Sequence, residues 1–287
     1  MRSRASNPCG RTQPTRRSSS GTPEAPQLTS LTHADLVGSL RAAGCVFAED
    51  EAELLLAEAR SPGHLEEMLT LRVDGLPLEH VLGWAAFRGL RILVDSRVFV
   101  PRRRTELLVE ETVRIAPHRA TVVDLCCGTG AVATALLNEL TDARVIAADI
   151  DPAAVASARR NLEARGGTVL QGDLFDPLPR ELRGTVDVIV ANAPYVPTEA
   201  IQLMPQEARE HEDIVALDGG EDGLDIQRRV VLGVTEWLRP GGWLIIETSE
   251  SQSLLTASLF TAVGLSARIV RSEELDATAV VGHLPLD

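Results

Sequence analysis

The chain of 287 residues contains no lysine, so all 28 of its basic residues are arginine. Aromatic residues are scarce, at 3%, and Tyr195 is the single tyrosine. No apolar run reaches the length of about 18 residues that a membrane-spanning helix needs. The four cysteines, Cys9, Cys45, Cys126 and Cys127, fit neither a disulfide framework nor a zinc-ligand pattern. That spacing predicts a reducing, cytoplasmic setting and no metal site. Acid exceeds base, for a net charge of -13. The first 23 residues carry five arginines and no acid, which leaves about -18 on the rest. A body so charged repels a phosphate backbone, so extended nucleic-acid binding is disfavoured.

Hydrophobic residues make up 44% of the chain, enough for a sizeable core. Their pattern divides it. Residues 1–27 are rich in Ser, Arg, Pro and Thr and poor in apolar residues, and read as a disordered tail. The same Arg-rich, acid-poor composition occurs in organelle transit peptides. Residues 28–84 read as short helices: one capped by Ser30 or Thr32, a second over about Asp50–Ala59 burying Leu54, Leu55 and Leu56, a third opened by Ser61-Pro62. This unit is either a packing appendage or a substrate-recognition domain. Residues 85–105 form a linker in which Leu90, Ile92 and Val94, then Val98 and Val100, predict a β-hairpin. From 106 to 287 strands and helices alternate, with strands at Thr121–Leu125, Arg144–Ala148, Val169-Leu170, Val186–Ala191 and Trp243–Glu247. Two more are expected near 267–271 and 278–281. The expected fold class is α/β with a mostly parallel sheet. Ligands of such sheets sit at the carboxyl ends of the strands.

The residues that follow those strands are suggestive. The first strand ends in Asp124, then Cys126-Cys127-Gly128-Thr129-Gly130, a loop able to approach a ligand closely. With Ala133 it also fits G-x-G-x-x-A, the dinucleotide pattern, which alone is weak. Asp149 ends the second strand, where an acid can grip ribose hydroxyls, and Asp151-Pro152 reads as a helix cap. Asp173-Leu174 follows the third strand, where an acid can accept from an adenine amino group. The fourth strand ends in Asn192-Ala193-Pro194-Tyr195. The Asn192 oxygen and the Ala193 carbonyl, side by side, would hold both hydrogens of one NH2 group, which suits an amide or aromatic amine as acceptor. A strand-terminating turn and a core tyrosine are the plainer readings of that tetrapeptide. Adjacent Cys126 and Cys127 read as small packing residues rather than a redox pair.

This order of residues resembles the class I S-adenosylmethionine-dependent methyltransferases. Three flanking segments narrow the resemblance. Gly75-Leu76-Pro77-Leu78-Glu79-His80-Val81-Leu82-Gly83, Val100 to Glu106, and Ala216-Leu217-Asp218-Gly219-Gly220-Glu221-Asp222-Gly223-Leu224 are similar to segments of the HemK-like protein-(glutamine-N5) methyltransferases. The resemblance implies a Rossmann-like catalytic domain with a small N-terminal helical domain and S-adenosyl-L-methionine as cofactor. It also implies a protein substrate with an exposed glutamine, such as a release factor or another translation protein. Asp124 would organise the loop near the methionine amino group, Asp149 bind the ribose and Asp173 the adenine. Here the family's N-P-P-Y is N-A-P-Y, as in a variant branch, its first loop glycine is Cys126, and Arg103 and Arg104 reverse the local charge of the hairpin segment. Other readings are methylation of a small-molecule or nucleic-acid amine, a nicotinamide-dependent oxidoreductase, and a non-catalytic binding protein.

Overall fold

A computed structural model describes residues 31–286, so the expectation of a tail at 1–27 lies outside the described residues. Four helices come first: α1 (His33–Ala42), α2 (Ala48–Glu58), α3 (Pro62–Val73) and α4 (Leu78–Leu82). Thr32 caps α1 in a reciprocal box with Asp35, and Ser61 caps α3 with Pro62 at its first turn. These helices share one apolar cluster, in which Leu36, Leu40, Ala52, Leu55 and Met68 are buried. Leu56 is exposed, contrary to expectation: α2 turns Ala48, Ala52 and Leu55 inward, the four- and three-residue spacing of one helical face.

The hairpin pairs β1 (Trp84–Phe87) with β2 (Leu90–Leu93) and turns at Arg88-Gly89. It is shorter than the alternation suggested. Val94, Val98 and Val100 are buried outside any strand, on an irregular segment that runs to helix α5 (Glu106–Ile115). That helix was not anticipated. Alternation of apolar residues over 90–100 records burial on one side, which a loop pressed against a core satisfies as well as a strand does.

The sheet then forms from β3 (Thr121–Leu125), β4 (Arg144–Asp149), β5 (Thr168–Gln171), β6 (Val186–Ala191), β7 (Leu238–Glu247), β8 (Ser266–Ser272) and β9 (Ala277–His283). Their spatial order is β5-β4-β3-β6-β7-β9-β8. Neighbours from β5 to β7 pair in parallel, and β9 pairs antiparallel with both β7 and β8. Helices α6 (Ala131–Glu139), α7 (Pro152–Leu162), α8 (Gln206–His211), α9 (Asp225–Trp237) and α10 (Ser253–Ala262) complete the chain. Successive strand residues point to opposite faces. Val122, Val188 and Ile245 therefore join α5, α6 and α7, while Val123, Ile189 and Ile246 join α9 and α10. Apolar cover on both faces explains the continuous apolar runs of β3 and β6.

The strand expected over Trp243–Glu247 begins earlier, at Leu238, and its register slips between Val186 and Val188 of the partner strand. Pro240-Gly241-Gly242 sits inside that irregularity. The strand order reverses between β3 and β6, so the chain leaves their carboxyl ends in opposite directions and opens a crevice there.

Candidate active site

One cavity occupies that crevice. Asp124, Cys126 to Thr129, Asp149, Asp173, Leu174 and Asn192 to Tyr195 all line it, whereas Gly130 does not. Gly130 is instead the left-handed cap of α6 (φ 73°), and a Cβ there would stand 2.3 Å from Leu162 Cδ1. Its hydrogen lets α6 pack on α7, a packing role that sequence spacing does not separate from ligand contact.

The acids at the strand ends organise the loop before they meet any ligand. Asp124 is buried and accepts from the Ala133 amide at 3.1 Å, which fastens the first turn of α6 to β3. Burial, with Asp149 nearby, pushes its pKa up to about 8. Asp149 accepts from the Gly128 amide (2.8 Å) and the Asp151 amide (2.9 Å), and burial raises its pKa as well. Asp151 caps α7 through the Ala153 amide, as its sequence context predicted. Asp173 is ion-paired with Arg229 of α9 at 2.6 Å, and both line the cavity. Nothing in the sequence pattern pointed to Arg229.

Cys126 adopts φ 54° and Leu174 φ 49°, left-handed conformations that cost a side-chain residue of order 1–2 kcal/mol. Such a backbone explains why glycine suits the first loop position and shows that cysteine can hold it. Burial and the neighbouring Asp149 and Asp124 push the Cys126 and Cys127 thiols well above their ordinary pKa. Both are neutral, poor nucleophiles.

Asn192 follows β6, and its Nδ2 donates to the Thr105 hydroxyl at 3.3 Å. That bond sets the amide orientation and leaves the Asn192 oxygen available to a ligand. Ala193 and Pro194 are buried behind it. Tyr195 is fixed at both ends. Its hydroxyl donates to Glu247 Oε1 at 3.3 Å, and its carbonyl accepts from Gln252 Nε2 at 3.0 Å. Gln252 Nε2 also donates to the Asp222 carbonyl at 2.9 Å. Gly223 packs so closely on the Tyr195 carbonyl that a Cβ would come within 2.3 Å of it. The segment from Ala216 to Leu224 therefore acts as a clamp on the tetrapeptide. Thr105, Glu247 and Gln252 were missed by sequence reasoning. Glu247 ends strand β7, and the strand-end rule applied there would have found it.

The three arginines of the hairpin segment each meet an acid: Arg102 with Glu212 (2.5 Å), Arg103 with Glu274 (3.3 Å) and Arg104 with Glu247 (3.7 Å). The reversed local charge is thus met by acids from elsewhere in the chain.

Known proteins resemble this chain. The model of the methyltransferase small domain family matches residues 96–211. A release factor glutamine methyltransferase of Geobacter sulfurreducens is 40% identical over 69% of this chain and 69% of its own length. One from Mycolicibacterium smegmatis is 40% identical over 75% and 78%. The chain belongs to the HemK-like glutamine methyltransferase family. Within that similarity also falls a 4-amino-L-phenylalanine/4-methylamino-L-phenylalanine methyltransferase of Streptomyces pristinaespiralis, 34% identical over 78% of each chain. A crystal structure of a methyltransferase from Pyrococcus furiosus shares the fold, with a TM-score of 0.52 and 17% identity over 69% of this chain and 91% of that one. This HemK-like chain is thus a class I methyltransferase, and S-adenosyl-L-methionine is its methyl donor. That assignment displaces the nicotinamide reading of the glycine loop. Among the described residues no helix is long and apolar enough to cross a membrane.

Proposed function

We propose that the protein methylates the side-chain amide nitrogen of a glutamine in a peptide-chain release factor or a similar translation protein, and acts in the cytoplasm. The observation that carries this reading is the Asn192 amide, pinned by Thr105 with its oxygen left for a donor. Relatives named for release factor glutamine methylation support the choice of acceptor. We also infer that the unit of helices α1 to α4 helps present that substrate.

The residues present fit the donor. Burial, with Asp149 nearby, holds the proton on Asp124 up to about pH 8, and a methionine ammonium beside it would stabilise the ionised form. Asp149 spends one lone pair per oxygen on backbone amides and keeps others for ribose hydroxyls. Asp173, with Arg229 and Leu174, borders the place for the adenine. Cys126, Cys127, Gly128 and Thr129 line the loop between them, where the methionine portion would lie. When bound, S-adenosyl-L-methionine supplies an electrophilic methyl on a sulfonium, so nitrogen gains that carbon, sulfur keeps the electron pair of the broken bond, and the extra proton passes to water.

An amide nitrogen is a poor nucleophile because its lone pair is delocalised. Asn192 and the Ala193 carbonyl meet this by accepting both N–H bonds and aiming the nitrogen, and orientation of this kind can lower a barrier by about 7–11 kcal/mol in the best cases. Pro194 holds the preceding backbone extended, and Tyr195 excludes water beside the acceptor. No general base is needed before transfer. Burial and adjacent Glu247 push the Tyr195 phenol up to about 12, so it stays neutral.

A second reading has support: the same two acceptors would hold an aromatic amine, as the similarity to the 4-amino-L-phenylalanine enzyme suggests. Both are tested by incubating the protein with methyl-labelled S-adenosyl-L-methionine and either a purified release factor or 4-amino-L-phenylalanine. Mass spectrometry placing the label on a glutamine side chain of the release factor is the expected result. Label on the aromatic amine alone would overturn the glutamine assignment.

A further inference from the structure

We propose that Glu247 is a positioning residue for methyl transfer, acting through Thr105 and Tyr195 to hold the Asn192 amide and the tyrosine ring in their working orientations. This rests on the reading of Asn192 as the group that holds the acceptor.

Glu247 ends strand β7 with its side chain only 4% exposed. It does not line the cavity, whereas Thr105 and Tyr195 do. Its surroundings are unusual for a carboxylate. Oε2 is fully buried and has no hydrogen-bond partner among the described residues. Oε1 accepts from the Tyr195 hydroxyl at 3.3 Å, and Arg104 Nε stands at 3.7 Å. Burial raises its pKa, and the nearby Thr105 hydroxyl, Arg104 and Tyr195 oppose that rise. A buried acceptor left unpaired costs of order 1–3 kcal/mol. The ion pair with Arg104 is long and half-exposed on the arginine side, so it offsets little of that cost.

Thr105 explains what the carboxylate does. Its hydroxyl receives the Asn192 Nδ2–H and has one proton of its own to give. In the proposed arrangement Glu247 is ionised, the Thr105 proton turns toward it and a Thr105 lone pair turns toward Asn192. The Asn192 amide is then held with its nitrogen toward Thr105 and its oxygen toward the cavity. Without the negative charge, the threonine hydroxyl can rotate and donate to Asn192 Oδ1, which permits the flipped amide. A flipped amide would present N–H to an acceptor that needs an oxygen. The Tyr195 hydroxyl, tied to the same carboxylate, fixes the other wall.

Three variants test this: Glu247→Gln, Thr105→Val and Thr105→Ser. With the release factor as acceptor, Glu247→Gln and Thr105→Val should each lower kcat by about 10- to 100-fold, as misplacement of reacting groups does. Cofactor Kd and the KM for the release factor should stay within about twofold. Thr105→Ser, which keeps the hydroxyl, should restore most of the rate. The double variant Glu247→Gln/Thr105→Val should be little worse than either single one, because the two act as one unit. A second readout needs no acceptor. Tyr195 is the sole tyrosine, so a 13Cζ-tyrosine label gives one resonance. Arg104 and Arg102 face that phenol beside Glu247, and removing the negative charge should favour its ionisation. At about pH 11, with circular dichroism unchanged, the ionised fraction should be larger in Glu247→Gln than in wild type. Wild-type kcat in Glu247→Gln, or an unmoved tyrosine titration, would overturn the proposal. If wild type itself fails on the release factor, the acceptor assignment fails while the tyrosine resonance still decides the role of Glu247.

Discussion

The two walls of the cavity are built by different means. The wall of Asp124, Asp149 and Asp173 takes one acid from the end of each of three successive strands; Asp124 and Asp149 are steadied by residues near in sequence, Ala133 at nine positions and Gly128 at 21, and only Asp173 reaches far, to Arg229 at 56. The wall around Asn192 is drawn together from afar. Thr105 lies 87 positions away, and Glu247 and Gln252 lie 52 and 57 positions from Tyr195. Local βα units specify the Asp124 and Asp149 part of the first wall, whereas the second exists only once the whole sheet has closed. A methyl donor common to many enzymes can be met by a local device. An acceptor nitrogen that must be aimed requires groups whose positions are fixed from several sides.

Substitutions can break this contrast. Asn192→Ala should lower methyl transfer by about a thousandfold or more while cofactor affinity by calorimetry changes less than about twofold. An equal loss of both would merge the two walls into one functional unit. Asp149→Ala should do the reverse, weakening cofactor binding by about 10- to 100-fold through the loss of charged hydrogen bonds. Unchanged affinity would remove Asp149 from the cofactor wall.

Asp124 gives a pH signature. Its pKa in the folded protein is raised to about 8, so the folded state keeps a proton that the unfolded chain releases near pH 4. Stability lost at this site therefore grows as pH rises from about 4 to 8, and Asp124→Asn should remove that slope in denaturant titrations. The cofactor's ammonium favours ionised Asp124. Cofactor affinity should then climb by up to about tenfold per pH unit toward pH 8 and level off above it, with a proton released on binding. A flat profile would show that no cation meets Asp124. The smallest effect belongs to Gly130→Ala. The strained φ and the contact with Leu162 should cost about 1–3 kcal/mol in thermal unfolding, with cofactor binding affected only as far as the loop shifts.

The same contrast explains what could be read from sequence. Strands β3 and β6 were legible to the residue because fully buried parallel strands are continuous apolar runs with clear ends. The strand-end acids followed from those ends. The hairpin was overextended because Val98 and Val100 are buried without being in a strand. Strand β7 was begun five residues late because Pro240-Gly241-Gly242, a turn by composition, sits within a register slip. Helix α5 escaped notice although its apolar face is well formed, with Leu107, Leu108 and Val109 buried. Thr105 and Gln252 carry no local signal. A threonine at a helix start and a glutamine in a loop become site residues only through tertiary contact with Asn192 and Tyr195.

The central claim is that Asn192 and the Ala193 carbonyl hold the acceptor NH2 from two sides. A crystal structure of the protein with S-adenosylhomocysteine and a glutamine-containing release-factor peptide tests it most directly. The account predicts the glutamine side-chain nitrogen within about 2.7–3.2 Å of both Asn192 Oδ1 and the Ala193 oxygen. A glutamine held by its oxygen at those atoms, or a nitrogen bound elsewhere, would contradict it.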